Sequence, residues 1–303
     1  MSFDVIVSGL NVVDLLFTLP EQVKRDSKHE VDKILIQGGA PAGNAASVMA
    51  MLGLKTAFLG NRGDNVLSDI AERELQRCKV DSSLMLNKPE HNPAVALVEI
   101  DANNGERTVF YSLNNYRALA PADVKREWVQ NSKLVFVDGY DRAGNIQLLK
   151  LARELGVPSV LDVEAGDREE LIEMISLGSH AILPLEAAQA ITGEDEVGLA
   201  LPELAKLSDA QIVITDGANG SWAWLAGKVV HQGAFKTEVV DTTGCGDSYH
   251  GAYAYALLQG MDIQQRMQFA SAYASLVARH VGGRTYHPSA AEVEAVINNN
   301  ELL

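Results

Sequence analysis

The stretch VVDTTGCGDSYHGAYAYALLQG, residues 239–260, combines residue types suited to handling phosphate. A strand is expected to end near Val240, a glycine-rich turn follows, and a helix is expected to start around Asp247. Gly244 and Gly246 have no side chains to block a ligand, so the turn can aim consecutive N–H groups at an anion. The helix behind it adds the positive end of its dipole. Taken alone, a glycine-rich turn before a helix is often only a tight connection. Asp247 adds chemistry. A carboxylate in a first helical turn is more commonly a cap, but beside an anion-binding turn it can take the proton from an attacking hydroxyl. Phosphoryl transfer needs little more than such a base, positioning and charge stabilisation. Asp241, Thr242 and Thr243 supply further oxygen groups on the approach.

A second glycine-rich turn, QGGAPAGNAAS at 37–47, also precedes an expected helix. It holds Gly38 and Gly39 but no basic residue, unlike the lysine that follows the glycines of a P-loop. Asn44 offers both donor and acceptor, which suits a sugar hydroxyl; the plainer reading is a helix start packed closely on a strand. Asn11 and Asp14 follow an expected strand end, where open α/β sheets bind ligands. A lone aspartate there is more often a loop cap.

The elements that must position these residues alternate between short β-branched runs and longer helical stretches, the pattern of a layered α/β fold with a largely parallel sheet. Strands are expected at 4–10, 57–63, 134–140, 159–165, 181–185 and 211–217. Helices are expected at 42–54, 66–78, 145–156, 202–209, 248–260, 263–283 and 288–300, with Gly53 and Gly156 just past the last apolar position of two of them. Residues 13–36 and 91–114 break the rhythm with alternating apolar and polar positions. The second holds an Asn-Asn-Gly turn between VALVEI and RTVFYSL, a hairpin signal. These segments are either an edge decoration or a small sheet covering a site. With neither linker nor repeat, one α/β domain over 1–303 with a β appendage is the simplest organisation.

Bulk properties narrow the function. The 303 residues are 47% hydrophobic and 21% charged, an ordinary globular balance. Two cysteines, Cys78 and Cys245, offer no disulfide framework or metal spacing and fit a reducing compartment. The N-terminus does not read as a signal peptide, and no apolar run is long enough for a membrane helix, so a cytoplasmic protein without membrane partners is expected. A net charge of −15 argues against a nucleic-acid binder. It leaves a nucleotide substrate open, because backbone N–H groups can hold a small anion inside an acidic protein.

DTTGCGD at 241–247 resembles the D-T-x-G-A-G-D signature of the PfkB or ribokinase-like carbohydrate kinases, and GGAPAGNAASVMAMLG at 38–53 resembles their N-terminal glycine-rich signature. The order is right, and the likeness runs from about Val5 through the helices after Asp247. The resemblance implies a ribokinase-like layered α/β fold, ATP with Mg2+, and phosphorylation of a sugar hydroxyl. It makes Asp247 the catalytic base and the N–H groups of Gly244, Cys245 and Gly246 the anion hole. Asn11, Asp14, Gly38, Gly39 and Asn44 become substrate-binding positions; Thr215, Gly217, Gly220 and Thr243 line the nucleotide. Segments 13–36 and 91–114 correspond to a lid that closes over the sugar and pairs two subunits, implying a homodimer. Arg284 in VGGRTYHP falls towards a nucleotide phosphate by the same analogy.

Three positions depart from the family pattern. Cys245 replaces alanine between the glycines, where a small thiol is tolerable because the N–H does the work. His250 reads best as a packed core histidine. The family's N-x-x-E motif, tied to magnesium, has no in-register counterpart in LPLEAAQAITG at 183–193, where Glu186 is displaced, so no metal ligand is assigned. Two other functions stay open: a nucleoside kinase with Phe17, Phe110 and Tyr111 as a base slot, and a non-catalytic sugar or nucleotide sensor. Arg107, Arg117 and Arg142 can face an anionic substrate, with solvated or ion-paired surface roles as the default and a neutral sugar as the favoured acceptor.

Overall fold

Period-two side chains place apolar residues on both faces of the expected strands, and helices cover both. In the computed structural model, which describes every residue except Met1, Glu21, Gln22, Arg25, Asn104, Ala165 and Asn300, Val5 and Val7 of Phe3–Ser8 pack into one core and Ile6 into a second. The neighbouring strand Ser132–Asp138 repeats the split, with Phe136 in the first core and Val135 and Val137 in the second.

The main sheet has eight strands. From one edge run Thr56–Leu59, Phe3–Ser8, Ser132–Asp138, Ser159–Asp162, His180–Pro184 and Gln211–Thr215, all parallel. These correspond to the six expected strands; Ala165, at the end of the stretch 159–165, lies outside the described residues. Ser221–Leu225 and Lys228–Gln232 extend the far edge antiparallel. That hairpin was not expected, because its turn runs through Ala226 (φ 49°) and Gly227 (φ 81°), and alanine is a rare occupant of the left-handed region.

One helical layer holds Pro41–Met51, Cys245–Leu258 and Ile263–Val277; the opposite layer holds Arg142–Leu155, Arg168–Leu177, Leu185–Thr192 and Val197–Leu207. Two helices differ from their expected spans. The one expected at 263–283 stops at Val277, and the chain turns before the Gly282–Gly283 pair. The one expected to start at Pro202 starts at Val197 and carries the proline in its interior. The last helix is Ala290–Asn299, with Asn300 of the expected 288–300 outside the described residues.

Segments 13–36 and 91–114 contribute to a separate four-stranded sheet in the order Leu35–Gly39, Val12–Thr18, Ala94–Ile100, Arg107–Ser112. The expected hairpin pairs Val95 with Ser112 through Ile100 with Arg107; Asn104 of its Asn-Asn-Gly turn lies outside the described residues. Its register creates two rows. Gln37, Asp14, Ala96 and Tyr111 lie abreast on one face, and Ile36, Leu15, Leu97 and Phe110 on the other.

Candidate active site

Pro41–Met51 is buried along nearly its whole length, packed against the Cys245–Leu258 helix. The close approach depends on Gly251, where a Cβ would lie 2.8 Å from the Ala45 carbonyl oxygen. One residue before Ala45, and one turn before Gly251, the two helix starts meet: Asn44 Nδ2 donates to Asp247 Oδ2 at 2.6 Å. The sequence placed both residues in candidate roles, and the fold puts them in contact.

Behind this pair lies Arg284, fully buried at 0% exposure. Its Nε donates to Asn44 Oδ1 at 2.8 Å, and its Nη2 to the Gly39 carbonyl at 2.7 Å and to Asn11 Oδ1 at 3.4 Å. The sequence expectation set Arg284 near a nucleotide phosphate; the structure instead places it beneath the Gly38–Gly39 strand end and beside Asn44 and Asn11. The misplacement follows from the early end of the preceding helix, which sends the Gly282–Arg284 turn back across the Asn44 side of the sheet. The two glycines make the room. A Cβ at Gly38 would lie 2.0 Å from Arg284 Nη1, and one at Gly39 would lie 1.8 Å from Asp14 Oδ2.

Asp14 is thereby brought to the same place, on the inner row of the small sheet and 6% exposed. Burial pushes its carboxyl up to about 7, against the pull of the Arg284 charge and with a further push from Asp247. Asp138 organises the floor from the neighbouring strand. It accepts from the Leu10 N–H at 2.8 Å and the Ala42 N–H at 3.3 Å, tying the Asn11 segment to the start of the Pro41 helix.

The turn at 241–247 is pinned from below. Asp241, fully buried, accepts from the N–H and hydroxyl of Thr243 at 2.7 and 2.6 Å and from the Gly282 N–H at 2.7 Å. Gly244 caps the helix in the left-handed region (φ 74°), where a Cβ would also meet Gly283 Cα at 2.6 Å. The Cys245 N–H donates to the Thr242 carbonyl at 3.2 Å, and helical bonding resumes with Ser248 N–H to the Gly244 carbonyl at 2.8 Å. The N–H groups of Gly246 and Asp247 fall between, in the first turn that has no intrahelical acceptor.

This turn separates two cavities. One, of about 270 Å³, is lined by Asp14, Asn44, Thr243, Gly244 and Asp247, with Tyr111 and Glu164 opposite. The other, of about 340 Å³, is lined by Thr215, Gly217, Gly220, Cys245 and Gly246 together with apolar Phe235. Arg107 lines both, and its Nη1 donates to Thr242 Oγ1 at 3.3 Å. Gly38 and Gly39 stand behind the first cavity, and Asn11 contacts their Arg284 support.

At the end of Ser159–Asp162, Asp162 and Glu164 approach Asp247, one oxygen of each lying within 4.8 Å of the others. Burial pushes both Asp162 and Glu164 up, and the neighbouring carboxylates push them further. Both oxygens of Asp162 are buried without a hydrogen-bond partner, although His250 Nδ1 lies 3.4 Å from one of them. That nitrogen is 2.7 Å from the Gly246 carbonyl, so its proton is directed there. His250 is 2% exposed, in line with its reading as a packed histidine.

Comparison with known proteins now decides the family. The pfkB family of carbohydrate kinases matches residues 4–290. The chain belongs to this family. Two relatives named 5-dehydro-2-deoxygluconokinase align along almost the whole chain. The one from Shouchella clausii is 26% identical over 99% of this chain and 97% of its own length, and that from Halalkalibacterium halodurans is 28% identical over 99% and 96%. Among solved structures, Arabidopsis thaliana ribokinase complexed with ribose and ATP superposes with a TM-score of 0.84 at 23% identity, covering 98% of this chain and 99% of that one. The fold is ribokinase-like, and the chain is a kinase that acts on a sugar, not the non-catalytic sensor held open by the departures at 183–193.

In this pfkB-family kinase the sequence-based residues divide between the two cavities, except that Thr243, expected along the nucleotide, lines the smaller one and Asn11, Gly38 and Gly39 line neither. Asp247, Asn44, Asp14, Gly244 and Thr243 share the smaller cavity, and Thr215, Gly217, Gly220, Cys245 and Gly246 the larger. Arg117 and Arg142 pair with Glu90 and Glu170 near the surface, the default reading. Arg107 is exposed, as the default has it, yet it lines both cavities, a place with no signal in a hairpin end. Phe17 and Phe110 cannot join Tyr111 in a base slot, because they stand on the outer face of the small sheet and Tyr111 on the inner. Glu186, exposed on the Leu185–Thr192 helix, takes no part in the carboxylate cluster. Asp162 and Glu164 were read only as part of a strand, since nothing local marks a strand end as facing a residue 85 positions away (247 less 162).

Proposed function

We propose that this kinase transfers the γ-phosphoryl group of ATP to a hydroxyl of a neutral sugar or sugar derivative. The observation that carries the reading is the turn standing between the two cavities, with Asp247 lining one and Gly246 the other. The sugar occupies the smaller cavity, its hydroxyls met by Asp14 and Asn44, with Asn11 and the Gly38–Gly39 segment supporting them from behind. ATP lies in the larger one along Thr215, Gly217 and Gly220, with Phe235 against the base. Asp247 takes the proton of the attacking hydroxyl as its oxygen bonds to phosphorus and the bond to ADP breaks. The N–H groups of Gly246 and Asp247 at the positive helix end stabilise the charge on the transferring group, whereas the Cys245 N–H expected in the anion hole is taken by the Thr242 carbonyl. Arg107, reaching both cavities, is placed to hold the same phosphoryl oxygens.

Magnesium is implied by the family, and the residues fit it. Three crowded carboxylates with the orphaned oxygens of Asp162 are the hard oxygen donors that Mg2+ prefers. Asp162, Glu164 and Asp247 would hold the ion, which when bound neutralises phosphate charge. The same carboxylates favour a neutral acceptor, since Asp14, Glu164 and Asp247 outnumber Arg107 among the charged residues lining the sugar cavity.

The small sheet acts as the lid within a single unit spanning 1–303, presenting Asp14 and Tyr111 to the sugar. Its opposite face carries Ile36 (53% exposed), Leu97 and Phe110 (55% exposed) in one row. An apolar row of that kind supports a homodimer paired through the lid. No helix among the described residues is long and apolar enough to cross a membrane; ATP as donor supports a cytoplasmic setting.

An ATP-consumption assay with magnesium, run against pentoses, hexoses, keto-sugars, 5-dehydro-2-deoxygluconate, sugar phosphates and nucleosides, tests the reading. Turnover on a neutral sugar is expected. Turnover confined to nucleosides or to acidic sugars would overturn the acceptor assignment.

A further inference from the structure

A fully buried arginine is costly unless its charge and donors are used, because desolvation opposes the charged form. Arg284 lies behind the sugar cavity and does not line it, so it cannot touch substrate. Its Nε and Nη2 serve three positions around that cavity instead, the Asn44 side chain, the Gly39 carbonyl and the Asn11 side chain, while Nη1 is buried without a hydrogen-bond partner among the described residues. The charges facing it are Asp14 and Glu74, with Arg77 and Cys78 on the Val66–Arg77 helix and its end, and His287 further along its own segment.

The donor inventory fixes what this contact does. Arginine has no acceptor, so the Asn44 atom facing Arg284 Nε must be the carbonyl oxygen. The amide group then has to point the other way, and there it meets Asp247 Oδ2 at 2.6 Å. Rotated by half a turn, Asn44 would set its NH2 against the guanidinium and its oxygen against a carboxylate, two repulsive contacts in place of two attractive ones. Without a donor-only group at 284, both orientations become accessible.

We propose that Arg284 is a positioning residue for the phosphoryl transfer, locking the Asn44 amide so that its N–H holds the carboxylate of Asp247 in the reactive orientation. The proposal rests on Asp247 being the base. The guanidinium acts at two removes from the reacting oxygen, which explains a buried charge in a place where an apolar side chain would pack more cheaply. Lysine cannot replace it, since a single ammonium lacks the planar fork that reaches Asn44 and Gly39 together.

The test is a double-mutant cycle in the full-length protein, reading kcat, sugar KM and ATP KM. Arg284→Lys is expected to lower kcat at least tenfold with ATP KM within twofold of the wild type. In an Asn44→Ala background, where there is no amide to orient, the same substitution is expected to lower kcat less than twofold further. An equal kcat loss in both backgrounds, or a lower melting temperature with kcat unchanged, would show that Arg284 only supports the fold. Asn44→Asp probes the relay without touching Arg284: the new carboxylate pairs with the guanidinium but repels Asp247. It is expected to keep the wild-type melting temperature within a few degrees and lose at least a hundredfold in kcat; wild-type turnover in it overturns the proposal, even where Arg284→Lys does not fold. Asp247→Asn run alongside separates the two ideas, because full turnover there refutes the base and not the relay alone.

Discussion

Asn44 and Asp247, 203 residues apart in sequence, share a 2.6 Å hydrogen bond where two helix starts meet. Neither helix alone could hold the contact. It is set one turn away by the crossing of Ala45 on Gly251, which brings the two backbones closer than side chains would allow.

Gly251→Ala should therefore act at a distance. The added methyl would lie 2.8 Å from the Ala45 carbonyl and 2.9 Å from Val48 Cβ, so the helices must separate. Overpacking of this kind costs about 1–3 kcal/mol. A lower unfolding midpoint in urea and a kcat reduced about tenfold or more are expected, from a residue that touches neither cavity. Unchanged kcat at reduced stability would mean that the Asn44–Asp247 contact is not set by this crossing.

Asp14 gives the site a pH dependence. Burial raises its carboxyl to about 7, well above the ordinary aspartate value of about 3.9. A raised acid favours folding while protonated, so its contribution is fully present below about pH 4 and is lost as pH rises through about 7. Asp138, raised to about 7, and Asp141, raised to about 6, titrate in the same window, so the variant is needed to isolate it. Asp14→Asn is expected to raise the melting temperature relative to wild type at pH 8 but not at pH 4. Sugar binding runs the other way, because an ionised carboxylate is the stronger acceptor. Wild-type sugar KM should fall from pH 6 to pH 8, and the variant should show a higher, flatter KM. Parallel pH slopes in the two proteins would remove Asp14 from the sugar site.

Cys245 sits at the anion turn yet is no nucleophile. Burial pushes its thiol up to about 12, so almost none is thiolate at neutral pH. Cys245→Ala is expected to keep kcat within about threefold, and the wild-type enzyme to resist iodoacetamide at pH 8. Rapid inactivation by alkylation at Cys245, measured by mass spectrometry, would contradict this.

The two glycine turns were legible because their requirements are local. A turn that must bare its N–H groups, and one that must let Asp14 and Arg284 close in, both need glycine whatever the rest of the chain does. The six parallel strands were legible for a similar reason, in their β-branched runs. The tertiary partners were not. Arg284 contacts Asn44 across 240 residues, and the early end of its preceding helix, which turns it towards the sugar side, leaves no mark in an apolar run. Asp162 and Glu164 gain their meaning only from the order of strands that sets them opposite Asp247. The lid aromatics were assigned together from composition, whereas the register separates Phe17 and Phe110 from Tyr111.

The measurement that bears most directly on the central claim is turnover by Asp247→Asn on the best sugar, with sugar and ATP affinities taken on the same protein by calorimetry. Loss of a positioned general base costs roughly 10²–10⁴ in rate. A kcat lowered by that factor, with both dissociation constants within about threefold of wild type, is the expected result. Turnover retained within tenfold would contradict Asp247 as the base and with it the role given to the anion turn.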